Sequence, residues 1–134
     1  MRKLTGFIIM FLVSAMLLTS CIIKDGAWKD NIKLSARSVE FNAQADSVII
    51  TTKGEWWWVC SISVDSNFFS GFTINPDSEN YKIEQDCFVV ERSDKHTLFI
   101  RLDENPVNTV RIVRVGLEAG DYFDTVTITQ KAKQ

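Results

Sequence analysis

Three consecutive tryptophans, Trp56, Trp57 and Trp58, stand between the turn Lys53-Gly54 and Cys60. A flat indole can stack on the C–H face of a pyranose ring while polar neighbours bind the hydroxyls, and Lys53, Glu55 and Asp65 are such neighbours here. The same ring can equally cover a strand or fill a core. Phe69 and Tyr81 pose the same alternative, so Trp56, Trp57, Phe69 and Tyr81 are the candidate contacts for a glycan or a protein partner. Cys60 and Cys87 could form a disulfide if their Cα atoms lie within about 7 Å, or remain free thiols acting as small hydrophobes. Catalysis has little to build on. The single histidine, His96, would have to serve any Ser-His-Asp set, and no serine sits in a Gly-x-Ser-x-Gly context. The 17 acidic residues are scattered, as on a solvated surface, so no glycosidase pair stands out. Asp77, Glu79 and Asp86 fit no calcium-loop spacing, and no metal or cofactor is expected. The reading is a protein that is not an enzyme.

The N-terminus carries the sharpest signal. Arg2 and Lys3 precede an apolar run from Phe7 to Leu18, too short for a membrane anchor helix and proportioned like a signal peptide. Leu18-Thr19-Ser20-Cys21 follows, which resembles the bacterial lipobox: a branched apolar residue, two small residues and a cysteine whose thiol takes a lipid. Cleavage before Cys21 removes 20 residues from 134 and leaves 114. Losing Arg2 and Lys3 takes the basic count from 15 to 13 against 17 acids, a net charge of −4. That balance argues against nucleic acid and against a polybasic membrane patch. Acyl chains on Cys21 would hold the protein to a membrane, at roughly 0.8 kcal/mol per buried methylene. The expected boundaries are therefore a signal peptide over 1–20, a lipidated tether over 21–32 and a folded domain over 33–134. Ile22 follows the cysteine where an aspartate would signal inner-membrane retention, so the expected address is the outer membrane, facing the periplasm or the cell surface.

The elements that must position these side chains are strands. Ser47–Thr52 is almost wholly β-branched, and Val110–Leu117 alternates, with Val113, Val115 and Leu117 on one face. Turn chemistry recurs at Lys53-Gly54, Arg92-Ser93-Asp94-Lys95, Asp103–Pro106 and Ala119-Gly120-Asp121. Residues 65–80 break the rhythm with Phe68, Phe69 and Phe72 among turn formers, which predicts a long loop or an irregular edge strand. Beyond the signal peptide no window has a helical period. The prediction is an all-β, immunoglobulin-like antiparallel β-sandwich of about seven strands.

The stretch LSARSVEFNAQADSVIITTKGEWWWV, from Leu34, resembles the start of a BACON domain: a strand ending in an aromatic, a β-branched strand, a Gly turn and Trp-x-Val. The likeness continues through Asn105, Arg111 and the strand Val113, Val115, Leu117, and ends at TVTITQ, Thr125–Gln130. It departs from the pattern in the Phe-containing loop and at Cys87-Phe88, where a second tryptophan often falls. The resemblance implies an immunoglobulin-like sandwich in a Bacteroidetes cell envelope and suggests glycan binding. The first expectation is therefore a lipid-anchored module that binds a glycan through exposed aromatics, Trp56 and Trp57 foremost, and the second a non-catalytic adaptor that binds a protein partner or acts as a spacer. Asn105 and Arg111 read as a turn cap and a strand-end charge.

The tryptophan register has two readings. Period-two alternation groups Trp56, Trp58, Cys60, Ile62 and Val64, and sends Trp58 inward and Trp57 outward. The family-like Trp-x-Val instead sends Trp57 and Val59 inward. A bulge near Cys60 reconciles them by shifting register once. The longer alternating set favours Trp58 as the core residue, with Trp56 exposed in either case.

Overall fold

The computed structural model of the protein describes residues 29–134. The signal peptide, Cys21 and most of the expected tether lie outside the described residues. Among the described residues nine strands form two sheets: β1 (Ser38–Phe41), β2 (Asp46–Thr51), β3 (Trp58–Val64), β4 (Asn67–Ser70), β5 (Tyr81–Gln85), β6 (Phe88–Asp94), β7 (Thr97–Leu102), β8 (Arg111–Ala119) and β9 (Tyr122–Gln130). The five-stranded sheet has the order β1-β9-β8-β3-β4 and the four-stranded sheet β2-β7-β6-β5. All pairs are antiparallel except β1 with β9. The expected all-β sandwich is therefore present, with nine strands in place of about seven. Residues 65–80 supply one of the extra strands: Asn67–Ser70 is the short edge strand β4, and only 71–80 is irregular.

The core follows the period-two logic of the strands. Val113, Val115, Leu117 and Ala119 on β8 and Val126 and Ile128 on β9 are buried, and they share one core with Val90, Leu98, Ile100 and Leu102 of the other sheet. Each large apolar side chain among them contributes roughly 1.5–3 kcal/mol by leaving water. The folded domain begins before residue 33. Ile32, assigned above to the tether, is wholly buried, and its carbonyl accepts from the amides of Lys53 and Gly54. Leu34 bridges Thr52. Chain entry is therefore stitched onto the β2–β3 turn, at the end of the sandwich where β3 starts and β8 finishes.

Polar plugs close both ends. At the end far from chain entry, Asn105 is fully buried and donates to the carbonyls of Thr109 and Lys131. Gln130 donates to the carbonyls of Ala43, Gln44 and Asp103, and its side-chain oxygen accepts from Arg111 at 3.1 Å. Arg111 also reaches the carbonyls of Asp103 and Glu104. Asn105 and Arg111 have the structural roles their positions suggest. Buried carbonyls without donors would each cost about 1–3 kcal/mol, which these side chains avert.

Candidate functional site

Strand β3 decides the fate of the three tryptophans. Val59 pairs with Leu117 and Ser61 with Gly116, so Cys60 is an extra residue in the strand. This bulge shifts the inward set from Trp57 and Val59 before it to Ile62 after it. Gly116 faces the bulge: a Cβ there would meet Ser61 Oγ, a hydroxyl that can rotate aside, and would lie in ordinary contact with Cys60 Sγ at 3.4 Å. Trp57 is thus the core tryptophan, at 0% exposure, which corrects both the choice of Trp58 and the use of Trp57 as a surface contact. The alternating pattern holds only downstream of the bulge, and the Trp-x-Val pattern only upstream.

A buried guanidinium then fixes the neighbourhood. Arg92, 2% exposed, places its Cζ 4.2 Å from the centre of the Trp57 ring. Its Nη1 donates to the Trp57 carbonyl at 2.7 Å and the Ser78 carbonyl at 3.2 Å, and its Nη2 to the carbonyls of Glu55 and Lys95. Nε donates to the Asp94 carbonyl at 3.3 Å. Burial pushes the Arg92 pKa down, but no carboxylate partner is needed because carbonyl dipoles take every side of the fork. The Trp57 indole N–H completes the plug, donating to Thr52 Oγ1 and to the Lys95 carbonyl, each at 3.0 Å. The sequence pattern places Arg92 in a turn. It lies instead on β6, two residues beyond Val90 on the inward face, and the turn is Lys95-His96.

Between the two clamped carbonyls of Glu55 and Trp57 stands Trp56, 56% exposed. Its ring meets the half-buried Trp58 edge-to-face, with centroids 5.5 Å apart and planes at 67°. Beside it, Glu55 contacts His96 Nε2 at 3.4 Å and Lys95 Nζ at 3.9 Å, and Lys95 also contacts Glu79 at 3.7 Å. His96 Nδ1 lies 3.0 Å from the Thr52 carbonyl, so both ring nitrogens are occupied. Trp58 pairs with Glu118, which pairs with Phe123, so the three form one outward row across β3, β8 and β9. Phe123 is 62% exposed, and Phe68 on β4, opposite Ser63 on the same face, is 68% exposed.

The other candidates are engaged within the fold. Phe69 turns inward and meets Phe88 edge-to-face at 5.5 Å. The Tyr81 hydroxyl accepts from the Val59 amide at 2.9 Å, and burial pushes its pKa up. Neither is a free platform. Cys60 and Cys87 are free thiols, one on the five-stranded sheet and one in the β5–β6 turn of the other, so the disulfide alternative is not realised. Burial raises the pKa of both. Among the described residues no group of three metal-ligating side chains comes together.

Two exposed aromatics lie outside the candidates drawn from sequence. Phe123 is legible there, because Val126 and Ile128 inward place position 123 outward. Phe68 is not, since nothing in Asn67-Phe68-Phe69-Ser70 says which ring faces in.

No family model matches the chain, and no curated protein matches it. Among solved structures the fold is similar to that of a protein from Bacteroides thetaiotaomicron determined by NMR, at a TM-score of 0.65 and 19% identity, covering 82% of this chain and 94% of that one. A Bacteroides ovatus GH5 xyloglucanase, solved with a XXXG heptasaccharide, matches 77% of this chain over 19% of its own length, at a TM-score of 0.49 and 17% identity. The second likeness is too distant to carry an argument. The first shows a shared fold and nothing about ligands.

Proposed function

We propose that this chain is a non-catalytic, lipid-anchored binding module of a bacterial envelope, acting as an adaptor for a protein partner. Lipid on Cys21 would make the anchor, and the sequence resemblance to BACON domains supports an outer-membrane setting in Bacteroidetes. One observation carries the choice of ligand class. The outward rings of the five-stranded sheet, Trp58, Phe123 and Phe68, are spread over β3, β9 and β4, and the Trp58 plane is steeply inclined to that of Trp56. A run of pyranoses stacks best on rings that lie side by side in one plane, whereas a protein surface meets dispersed aromatic anchors set among polar groups such as Glu118 and Arg114. The edge strand β4 adds main-chain groups that a partner strand could pair.

A specific observation favours a second reading, glycan recognition. Trp56 is exposed and follows Glu55, whose carboxylate, with the Lys95 ammonium it contacts, could bind sugar hydroxyls around one stacked ring.

A photo-cross-linking residue tests the choice in a Bacteroides host, placed at Phe123 and separately at Ala45, an exposed position between β1 and β2 at the far end of the domain. The adaptor reading expects one defined protein adduct from position 123 that is absent from position 45 and lost with Phe68→Asp. No adduct at 123, with a saturable fluorescence change on a polysaccharide panel that vanishes in Trp56→Ala, would replace it with the glycan reading.

A further inference from the structure

The point where the chain joins the sandwich lies at the turn that carries Trp56, the most exposed tryptophan among the described residues. Asp30 is fixed to the fold: its carboxylate accepts from the amides of Ile32 at 3.0 Å and Lys33 at 2.8 Å and from Arg37 at 2.8 Å. Arg37 in turn grips Asp124 through Nε and Nη2, with the Tyr122 hydroxyl donating to the same carboxylate at 3.0 Å. The segment after Asp30 then runs under the turn that carries Trp56, with the carbonyls of Ile32 and Lys33 accepting from Lys53 and Gly54. Only nine residues carry the chain from Cys21 to Asp30. Fully extended at roughly 3.3–3.6 Å per residue, they reach about 30 Å, no more than the length of one nine-residue strand of this sandwich. A lipid on Cys21 therefore attaches the bilayer to the Trp56 end of the sandwich, which can meet the surface with the tether slack, whereas the far end could meet it only with the tether near full extension.

That end has the chemistry of an interface. Trp56 offers an indole whose apolar body and N–H suit the headgroup region, where tryptophan is enriched. Its rigid neighbourhood means that little backbone entropy is lost in presenting it, since Arg92 already holds the carbonyls on both sides. Lys33 and Lys53, joined by a backbone hydrogen bond where the entering chain meets the turn before Trp56, are exposed, and no carboxylate pairs with either among the described residues. The acids nearby are largely engaged: Glu55 and Glu79 with Lys95, and Asp30 and Asp124 with Arg37, while Asp121 and Glu118 remain. The charged groups named here sum to a mild negative, −2, so attraction would come from the indole and from lysines reaching phosphates, and not from a favourable field.

We propose that the chain-entry end of the sandwich rests on the phospholipid surface, with Trp56 inserted at the headgroup level and Lys33 and Lys53 on phosphates. The proposal rests on lipidation of Cys21 in the reading above. It orients the module: the row Trp58–Glu118–Phe123 lies near the membrane, and Phe68 stands farther from it on the same sheet face.

The full chain, processed in a lipoprotein-competent bacterium, would be reconstituted in phosphatidylethanolamine/phosphatidylglycerol vesicles whose acyl chains carry bromine, which quenches nearby indoles. Wild type and Trp56→Phe would be compared, with unfolding curves confirming that both are folded. The expected result is flotation of both proteins, with a quenched emission component in wild type that is lost in Trp56→Phe. Flotation of both with equal quenching would overturn the docked orientation while leaving the anchor intact. Failure of wild type to float would overturn the anchor itself, and the orientation with it. A Trp56-dependent response to soluble polysaccharide without bromine quenching would assign the ring to sugar and reject the membrane contact.

Discussion

The guanidinium of Arg92 lies against the Trp57 ring, 4.2 Å from its centre, and hydrogen-bonds the carbonyls of Glu55 and Trp57 on either side of Trp56. One buried charge thus links strand β6 of one sheet to the start of β3 in the other, and sets the angle at which an exposed indole is shown to its surroundings. Packing and display are the same contact. A flexible Trp56 would lose rotamer and backbone freedom on binding, and here the backbone share of that loss has already been met during folding.

Removing this link should be felt throughout the domain. Arg92→Met keeps much of the apolar stem but leaves several buried carbonyls without donors, and a loss of about 3 kcal/mol or more is expected in urea unfolding. Arg92→Lys should lose less, about 2 kcal/mol, because one ammonium cannot serve every carbonyl that the fork reaches. Equal stability of Arg92→Met and wild type would show that the clamp is dispensable.

Gly54 is the seam between chain entry and the Trp56 turn. A Cβ there would collide with the Asn31 carbonyl oxygen, a backbone atom that cannot swing aside. Gly54→Ala should lift residues 30–34, exposing Ile32 and raising hydrogen exchange at the amides of Lys53 and Gly54, with a stability loss of roughly 2 kcal/mol. Unchanged exchange at those two amides would contradict the stitched entry.

Acid should weaken the same region. Burial pushes the Asp30 carboxyl up, but the amides of Lys33 and Ile32 and the Arg37 guanidinium outweigh it and hold it low. Asp94 is held low by the amide of His96 and then by Thr97. A depressed folded-state pKa contributes stability above the ordinary carboxylate value, and that contribution disappears as pH falls through the folded value. The urea midpoint should therefore be flat from about pH 7 to 5 and fall below about pH 4. Asp30→Asn and Asp94→Asn should each flatten that acid limb; an unaltered limb in both would put the titration elsewhere.

The two thiols offer a simple count. Native protein treated with a thiol reagent near neutral pH should react slowly, because burial raises both pKa values, and denatured protein should gain one adduct on each of Cys60 and Cys87. No adduct at either residue after denaturation without reductant would mean the cysteines are joined.

Much of the fold can be read from alternation alone. The inward set of β8 and the closing strand YFDTVTIT follow period two, and the structure keeps their register. What alternation cannot reveal is the extra residue at Cys60, because a bulge leaves no residue-type mark when both flanking patterns are apolar. That single insertion moves Trp57 from the surface to the core. Arg92 is hidden for a related reason: an arginine before Ser93-Asp94 looks like turn chemistry, and only its even spacing from Phe88 and Val90 points inward. Charged residues are so rarely fully buried that composition outweighs position. Ile32 escapes because a lone isoleucine in a polar segment has no period to betray it.

The division of labour among the tryptophans is the claim on which the rest depends, and hydrogen exchange of the indole N–H protons, followed by NMR and assigned through single Trp→Phe variants, tests it most directly. The Trp57 proton, buried and shared between Thr52 and Lys95, should be protected to nearly the level of global unfolding, while that of Trp56 exchanges at the rate of an exposed indole. A protected Trp58 proton with a rapidly exchanging Trp57 would return the strand to unbroken alternation, and with it would go the bulge, the Arg92 clamp and the displayed Trp56.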